Sequence, residues 1–101
     1  LDMGYTLLED CGFTRAEAVR ATGQLVMRNI ENVLEAGCDG ALTGPIERND
    51  IETVKKHIAC MQNDDSDDVR LYKMLGTKLV NIAEKKNPDK DYTQMMELLR
   101  G

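Results

Sequence analysis

The sequence predicts an all-α fold, a compact bundle of about five helices in a single domain that spans residues 1–101. Apolar residues recur at intervals of three and four over most of the chain, which is the spacing of helices with one buried face. Few stretches alternate with a period of two, and β-branched residues do not cluster as they do in strands. Hydrophobic residues make up 42% and charged residues 31%, a balance typical of a globular domain.

Two helices are predicted on either side of Gly12. Residues 2–11 carry apolar side chains at helical spacing, and we expect them to be the tail of a helix that begins upstream of this chain. Thr14 and Glu17 have the spacing of a capping box, which would open the second helix. Gly37 and Gly40 would end it. The apolar stripe of this second helix consists of Val19, Thr22, Val26, Ile30, Val33 and Leu34.

Three shorter helices are predicted after a loop at residues 41–49. Their capping residues are Asn49 or Asp50, Ser66 or Asp67, and Asp91. Their apolar faces consist of Ile51, Val54, Ile58 and Met61; Val69, Tyr72, Leu75, Leu79 and Ile82; and Tyr92, Met95, Met96 and Leu99. Asn87-Pro88 would separate the last two helices. Several of the stripes are wide for one small bundle, so we expect a second copy or a further domain to cover the surplus.

Composition and charge exclude several classes of partner. The formal net charge is −5, the basic residues are scattered and aromatic residues make up 4% of the chain, so we expect no nucleic-acid partner. No apolar run approaches the ~20 residues of a membrane span, and no signal segment is present, so we expect a cytoplasmic protein that does not bind membranes. The three cysteines are widely spaced. We therefore expect no disulfide and no zinc site, and mostly packed, reduced thiols.

The loop before the third helix is the segment best suited to contact a ligand. Gly44 allows the backbone to approach another molecule closely, and the planar guanidinium of Arg48 matches a carboxylate or phosphate. The amides that open the third helix would add an anion site. Alternatively, the loop is a tight connection between helices, in which Arg48 pairs with Asp50 or Glu52. The residues alone leave both interpretations open.

His57 is the only histidine and the only side chain suited to acid–base chemistry near neutral pH. It lies at the margin of the apolar face of its helix and has no nucleophile beside it in the sequence, so a structural or surface role is the alternative. Residues 63–68 resemble a calcium loop only superficially, because both registers lack the required Gly and Glu. We interpret this acidic run as a solvated turn before a helix N-terminus and expect no metal site.

From Ala41 to His57 the chain reads Ala-Leu-Thr-Gly-Pro-Ile-x-Arg-x-Asp-x-x-Thr-Val-x-x-His. This motif closely resembles the C-terminal domain of the DUF2520 family, Rossmann-like oxidoreductases of unassigned function. The resemblance covers about residues 12–86 and includes Leu71-Tyr72-Lys73. Asn49 departs from it, since the family usually has Gly there. Asn tolerates the left-handed backbone conformation better than most residues, so we expect that conformation at Asn49.

The resemblance implies a two-domain NAD(P)-dependent oxidoreductase. The NAD(P)-binding domain would lie upstream, and this chain would be the helical C-terminal domain. That domain resembles those of pyrroline-5-carboxylate reductase, ketopantoate reductase and 6-phosphogluconate dehydrogenase, which close one side of the cleft for a small-molecule substrate and often build a homodimer. By this analogy the substrate-side residues are Thr43, Gly44, Pro45, Arg48, Asp50 and His57. The chain alone would bind no cofactor and would not be a catalyst.

Two other functions stay open at this point. The chain could be a stand-alone helical interaction module without catalytic activity, because its apolar stripes exceed what one small core needs and no catalytic set is evident. It could also be a small anion sensor that uses residues 43–50. A glycine-rich strand–turn–helix encoded upstream would favour the oxidoreductase.

Overall fold

A computed structural model describes residues 1–61 and 67–101, and every regular element in these ranges is a helix. The helices are α1 (Asp2–Asp10), α2 (Arg15–Ala41), α3 (Ile51–Met61), α4 (Asp68–Lys86) and α5 (Thr93–Arg100). The all-α fold with five helices is thereby confirmed. The chain divides into two compact units, Leu1–Glu35 and Ala36–Gly101.

The first unit contains α1 and most of α2, and the turn between these helices forms as the sequence predicts. Gly12 has a φ of 104°, a left-handed conformation that favours glycine. The capping box is confirmed. The amide of Thr14 donates to Glu17 Oε1, and the amide of Glu17 donates to Thr14 Oγ1, each over 3.1 Å. These bonds stabilise the carboxylate and lower the pKa of Glu17.

Polar contacts on the surface join α1 to α2 in this unit. The guanidinium of Arg15 lies 3.0 Å from Asp2 Oδ1 and 2.8 Å from Glu9 Oε1, and it lies over the ring of Tyr5. The hydrogen bond to Asp2 is the largest of the effects that raise the pKa of Arg15. Exposed ion pairs of this kind contribute little to stability. Ala18 is the one buried hydrophobic residue that this unit contributes.

The second helix is interrupted but does not end at the predicted residue. Gly37 has φ 78° and ψ 172°, which is not helical, yet helical turns resume and α2 continues to Ala41. Glycine adopts this positive φ without the steric cost that a Cβ would impose. The two glycines predicted to stop the helix therefore mark a break at Gly37 and an end one residue after Gly40.

The second unit has a continuous core. Its buried members are Ile46, Val54, Ile58, Val80, Ala83, Tyr92, Met95 and Leu99. The predicted face of α3 is confirmed, because Val54, Ile58 and Met61 are buried and Ile51 is half-buried. The predicted face of α5 is confirmed in the same way by Tyr92, Met95 and Leu99, with Met96 half-buried.

The predicted face of α4 is confirmed in part, because Val69, Tyr72 and Leu79 are half-buried and pack against the core. Gly76, Val80 and Ala83 are buried, whereas the predicted Leu75 is 52% exposed. A Cβ at position 76 would lie 2.8 Å from a methyl carbon of Leu99, so only glycine permits this approach of α5. The packed face therefore includes Gly76, Val80 and Ala83, which the predicted stripe omitted, and excludes Leu75.

The prediction of mostly packed thiols is wrong. Cys11, Cys38 and Cys60 are free and exposed. Cys11 ends α1 beside the Gly12 turn, and Cys60 lies off the buried face of α3 defined by Val54 and Ile58. Over residues 1–61 and 67–101, no helix combines the length and the apolar character needed to cross a membrane.

Candidate functional site

The loop between α2 and α3 is a compact turn fixed by its own backbone. Gly44 has a φ of 102°, and its carbonyl accepts a hydrogen bond from the amide of Arg48 over 3.0 Å. The carbonyl of Pro45 accepts from the amide of Asp50 over 2.8 Å. Ile46, which is 7% exposed, inserts into the core of the second unit. The turn therefore has one defined conformation and one buried anchor.

A polar network around Glu47 holds this loop against the junction of α4 and α5. The hydroxyl of Tyr92 donates to the backbone carbonyl of Glu47 over 2.6 Å. The side-chain amide of Asn87 donates to Glu47 Oε1 over 3.0 Å and to the Tyr92 hydroxyl over 3.1 Å. Lys86 Nζ donates to the carbonyl of Leu42 over 2.7 Å and lies 3.9 Å from Glu47 Oε1. The sequence reasoning missed these residues, because they lie about forty positions from the loop.

Asp50 is the residue whose side chain caps α3. Its Oδ1 accepts from the amide of Thr53 over 3.2 Å, and its Oδ2 accepts from the Thr53 hydroxyl over 2.7 Å. These two bonds are the main reason that the pKa of Asp50 is lowered, and the charges of Arg48 and Lys56 act in the same direction. The carboxylate of Asp50 thus occupies part of the amide site where a bound anion was predicted.

Asn49 adopts the left-handed conformation that the sequence predicts for it, with a φ of 60°. Its side-chain amide donates to the carbonyl of Asp91 over 2.8 Å, which adds a tie between the loop and the start of α5. The Oδ1 atom of Asn49 is buried and has no hydrogen-bond partner within the described part of the chain.

Thr43 and Arg48 are the exposed members of the predicted site, whereas Gly44, Pro45 and Asp50 are half-buried. These five residues lie along one loop. Glu52, the alternative partner of Arg48, instead pairs with Lys55 over 3.6 Å. The positive charge of Arg48 contributes to lowering the pKa of Asp50 while its side chain stays exposed.

His57, the sixth predicted site residue, is exposed on α3 and contacts α4 rather than the loop. Its Nδ1 lies 3.0 Å from the hydroxyl oxygen of Tyr72, and the two rings meet edge to face at 6.0 Å and 83°. Burial raises the pKa of Tyr72. The sequence reasoning placed Tyr72 on a buried face and did not identify it as a site residue.

The described residues contain no group of three or more His, Cys, Asp or Glu side chains that could hold a metal ion. Most of the acidic run at 63–68 cannot be assessed in this way, since residues 63–66 lie outside the described ranges. Its interpretation as a solvated turn stays a prediction.

Fold and loop together define a small all-helical domain with an ordered turn before α3. A family model for a domain of unknown function, DUF2520, matches residues 1–79, and the chain belongs to that family. The family membership predicted from the motif at 41–57 is thereby confirmed, and the match also includes α1. No curated protein and no solved structure matches the chain.

Proposed function

We propose that this chain is the helical half of an NAD(P)-dependent oxidoreductase, in which it closes one side of the substrate cleft and forms a homodimer. The proposal is supported by the membership in DUF2520 and by the resemblance of the chain to helical domains of known reductases and dehydrogenases. The observation that carries it is the uncovered apolar face of α2.

Apolar side chains of α2 lie in solvent although they recur at helical spacing. Ile30 is 51% exposed, Val33 is 36% exposed and Leu34 is 81% exposed. Burying apolar surface contributes about 25 cal/mol per Å², so covering these side chains favours association. Contiguous apolar patches on soluble proteins commonly mark interfaces. A second copy of α2 is the partner that this proposal assigns to the face, because homodimers usually pair identical surfaces.

The loop before α3 is the substrate-side element of this proposal. The ties from Glu47 to Asn87 and Tyr92 hold its backbone in place while Thr43 and Arg48 stay accessible. A fixed loop with an exposed guanidinium suits recognition of a carboxylate or phosphate on a small substrate. NAD(P) itself would bind to an upstream dinucleotide-binding domain, with its pyrophosphate at a glycine-rich turn.

Light scattering after size-exclusion chromatography tests the dimer directly. At ~50 µM we expect the chain to elute as a dimer, since stable interfaces usually hold well below this concentration. Ile30→Glu and Leu34→Glu should each yield monomers, because they place a charge on the apolar face of α2. Leu25→Glu, at a residue that is 70% exposed and about 180° around α2 from Leu34, is the matched control and should leave the dimer intact. A monomeric wild-type chain would contradict the proposal.

The same apolar face also favours the stand-alone interaction module. The intact mass of the protein in its native cells separates the two functions. A mass of about 25–30 kDa would accommodate a dinucleotide-binding domain of common size, and nucleotide titration of that longer protein should then detect NAD(P) binding. A mass near 11.3 kDa would favour the interaction module instead.

A further inference from the structure

Two side chains from separate stretches of the sequence meet on the surface of the second unit. His57 lies on α3, one residue before the buried Ile58, and Tyr72 lies on α4 with its ring packed against the core. The imidazole Nδ1 and the phenolic oxygen are 3.0 Å apart. The edge-to-face contact of the rings restricts the rotation of the imidazole. His57 is exposed, so its other ring nitrogen, Nε2, is the one available to a ligand.

We propose that His57, held by Tyr72, is the hydrogen-bond donor that binds the carbonyl or carboxylate oxygen of the substrate. The hydroxyl group of Tyr72 donates a hydrogen bond to Nδ1 of His57. The proton of the neutral imidazole ring is then on Nε2. The Nε2–H group then donates to the substrate oxygen. His57 is the residue that touches the ligand, and Tyr72 is a positioning residue. This inference rests on the proposed reductase function, because such enzymes act on substrates with polar C=O or C=N groups.

The surroundings of Tyr72 favour this direction of the hydrogen bond. A phenol keeps its proton in the neutral range and can donate it in a hydrogen bond, and burial raises the pKa of Tyr72 further in that direction. An imidazole nitrogen is a good acceptor, and the bond that one ring nitrogen makes determines which nitrogen carries the proton. Because the Tyr72 ring packs against the core formed by Val54, Ile58 and other buried residues, its hydroxyl is held in a fixed place.

Nuclear magnetic resonance tests the proposal on this chain without any nucleotide. His57 is the only histidine, so one set of imidazole ¹³C and ¹⁵N signals reports its tautomer. Above the pH at which imidazole is protonated, we expect the Nε2–H form to dominate in the wild type. Tyr72→Phe keeps the ring and removes the hydroxyl, so its share of the Nδ1–H form should rise. Tyr5→Phe removes a hydroxyl in the first unit and should change nothing at His57.

Titration with sodium pyruvate then tests the binding of an oxygen acceptor. We expect a saturable shift of the Nε2 signal, with affinity about five-fold weaker in Tyr72→Phe and unchanged in Tyr5→Phe, as loss of one modest hydrogen bond predicts. Parallel titrations with acetone and acetate distinguish a carbonyl from a carboxylate. An Nδ1–H tautomer in the wild type, a flat pyruvate titration, or equal responses in wild type and Tyr72→Phe would overturn the proposal. Failure of the dimer or of nucleotide binding would contradict the proposed function alone.

Discussion

The two units of this chain use similar helices and bury very different shares of them. In the second unit, α3, α4 and α5 enclose a core in which Val54, Val80 and Met95 are fully buried. In the first unit Ala18 is the one buried hydrophobic residue, and exposed ion pairs of Arg15 join α1 to α2. An apolar stripe in the sequence thus predicts a helix face that can be buried, and the presence of a partner decides whether it is.

The difference in burial also indicates which parts of the chain have a structural role and which are available to a partner. The second unit encloses a continuous core and presents a fixed loop, although Leu71, Met74 and Leu75 of α4 stay exposed. The first unit leaves side chains such as Ile30 and Leu34 in water. Apolar surface that is not covered in one chain is the ordinary signature of an interface. Under the proposed function the two units have different tasks: the first would associate with a second copy, and the second holds the loop and the His57–Tyr72 pair.

The largest expected effect on the free energy of unfolding comes from comparing a buried leucine with an exposed one. Leu99→Ala, at a side chain 2% exposed in the core of the second unit, should lower the free energy of unfolding by about 2–5 kcal/mol. Leu34→Ala, at a side chain 81% exposed on α2, should change it by less than about 0.5 kcal/mol in dilute samples. Urea unfolding followed by circular dichroism measures both. Equal losses would show that the face of α2 is buried in the isolated chain.

A smaller loss of stability is expected when the hydrogen bond between the loop before α3 and Tyr92 is removed. Tyr92→Phe keeps the buried ring but removes the hydroxyl that bonds to the carbonyl of Glu47 and to the side-chain amide of Asn87. The free energy of unfolding should fall by about 1–2 kcal/mol. Tyr5→Phe is the control in the first unit, where the ring contacts Arg15 and the change should be within about 0.5 kcal/mol. Urea midpoints of the two variants measure the contrast. A Tyr92→Phe variant as stable as the wild type would contradict the anchoring role.

The stability of both units is expected to fall at acidic pH, because each unit contains a capping carboxylate with a lowered pKa. Hydrogen bonds lower the pKa of Asp50 below its ordinary value of 3.8 and that of Glu17 below 4.5. The stabilisation is present above these ordinary values and is lost as the pH falls through the lower folded-state pKa. Asp50→Asn and Glu17→Gln should therefore lower the melting temperature slightly at pH 7, and the difference from wild type should shrink toward pH 2. A constant difference would contradict the assignment.

The smallest effect is expected at Asn49. Gly suits the φ of 60° and removes the buried, unpartnered Oδ1, but it loses the hydrogen bond to the carbonyl of Asp91. These changes oppose each other, so Asn49→Gly should alter the free energy of unfolding by less than about 0.5 kcal/mol. Asn49→Ala loses the bond and the short polar side chain that lets Asn tolerate the left-handed region, at a cost of about 1–2 kcal/mol. Comparison of urea midpoints tests this order, and a more stable Ala variant would contradict it.

Local features of the site were predictable from the sequence. The capping box at Thr14 and Glu17, the capping choice that included Asp50 and the left-handed Asn49 each depend on residues within a few positions of one another. The buried face of α4 was predicted only in part, because its centre includes Gly76, where the absence of a side chain lets Leu99 approach. Periodicity counts apolar side chains and so gives glycine no weight.

The sequence by itself determined the helical class, the start of α3 after Asp50 and the end of α4 before Asn87-Pro88. It also determined the family. These features depend on local spacing and on a contiguous motif. Only the tertiary structure decided that Glu47 is held by Asn87 and Tyr92 and that His57 meets Tyr72. The physical reason is distance along the chain. Hydrogen bonds between residues far apart in sequence depend on how helices pack, and helix packing depends on which side chains are small enough to allow close approach.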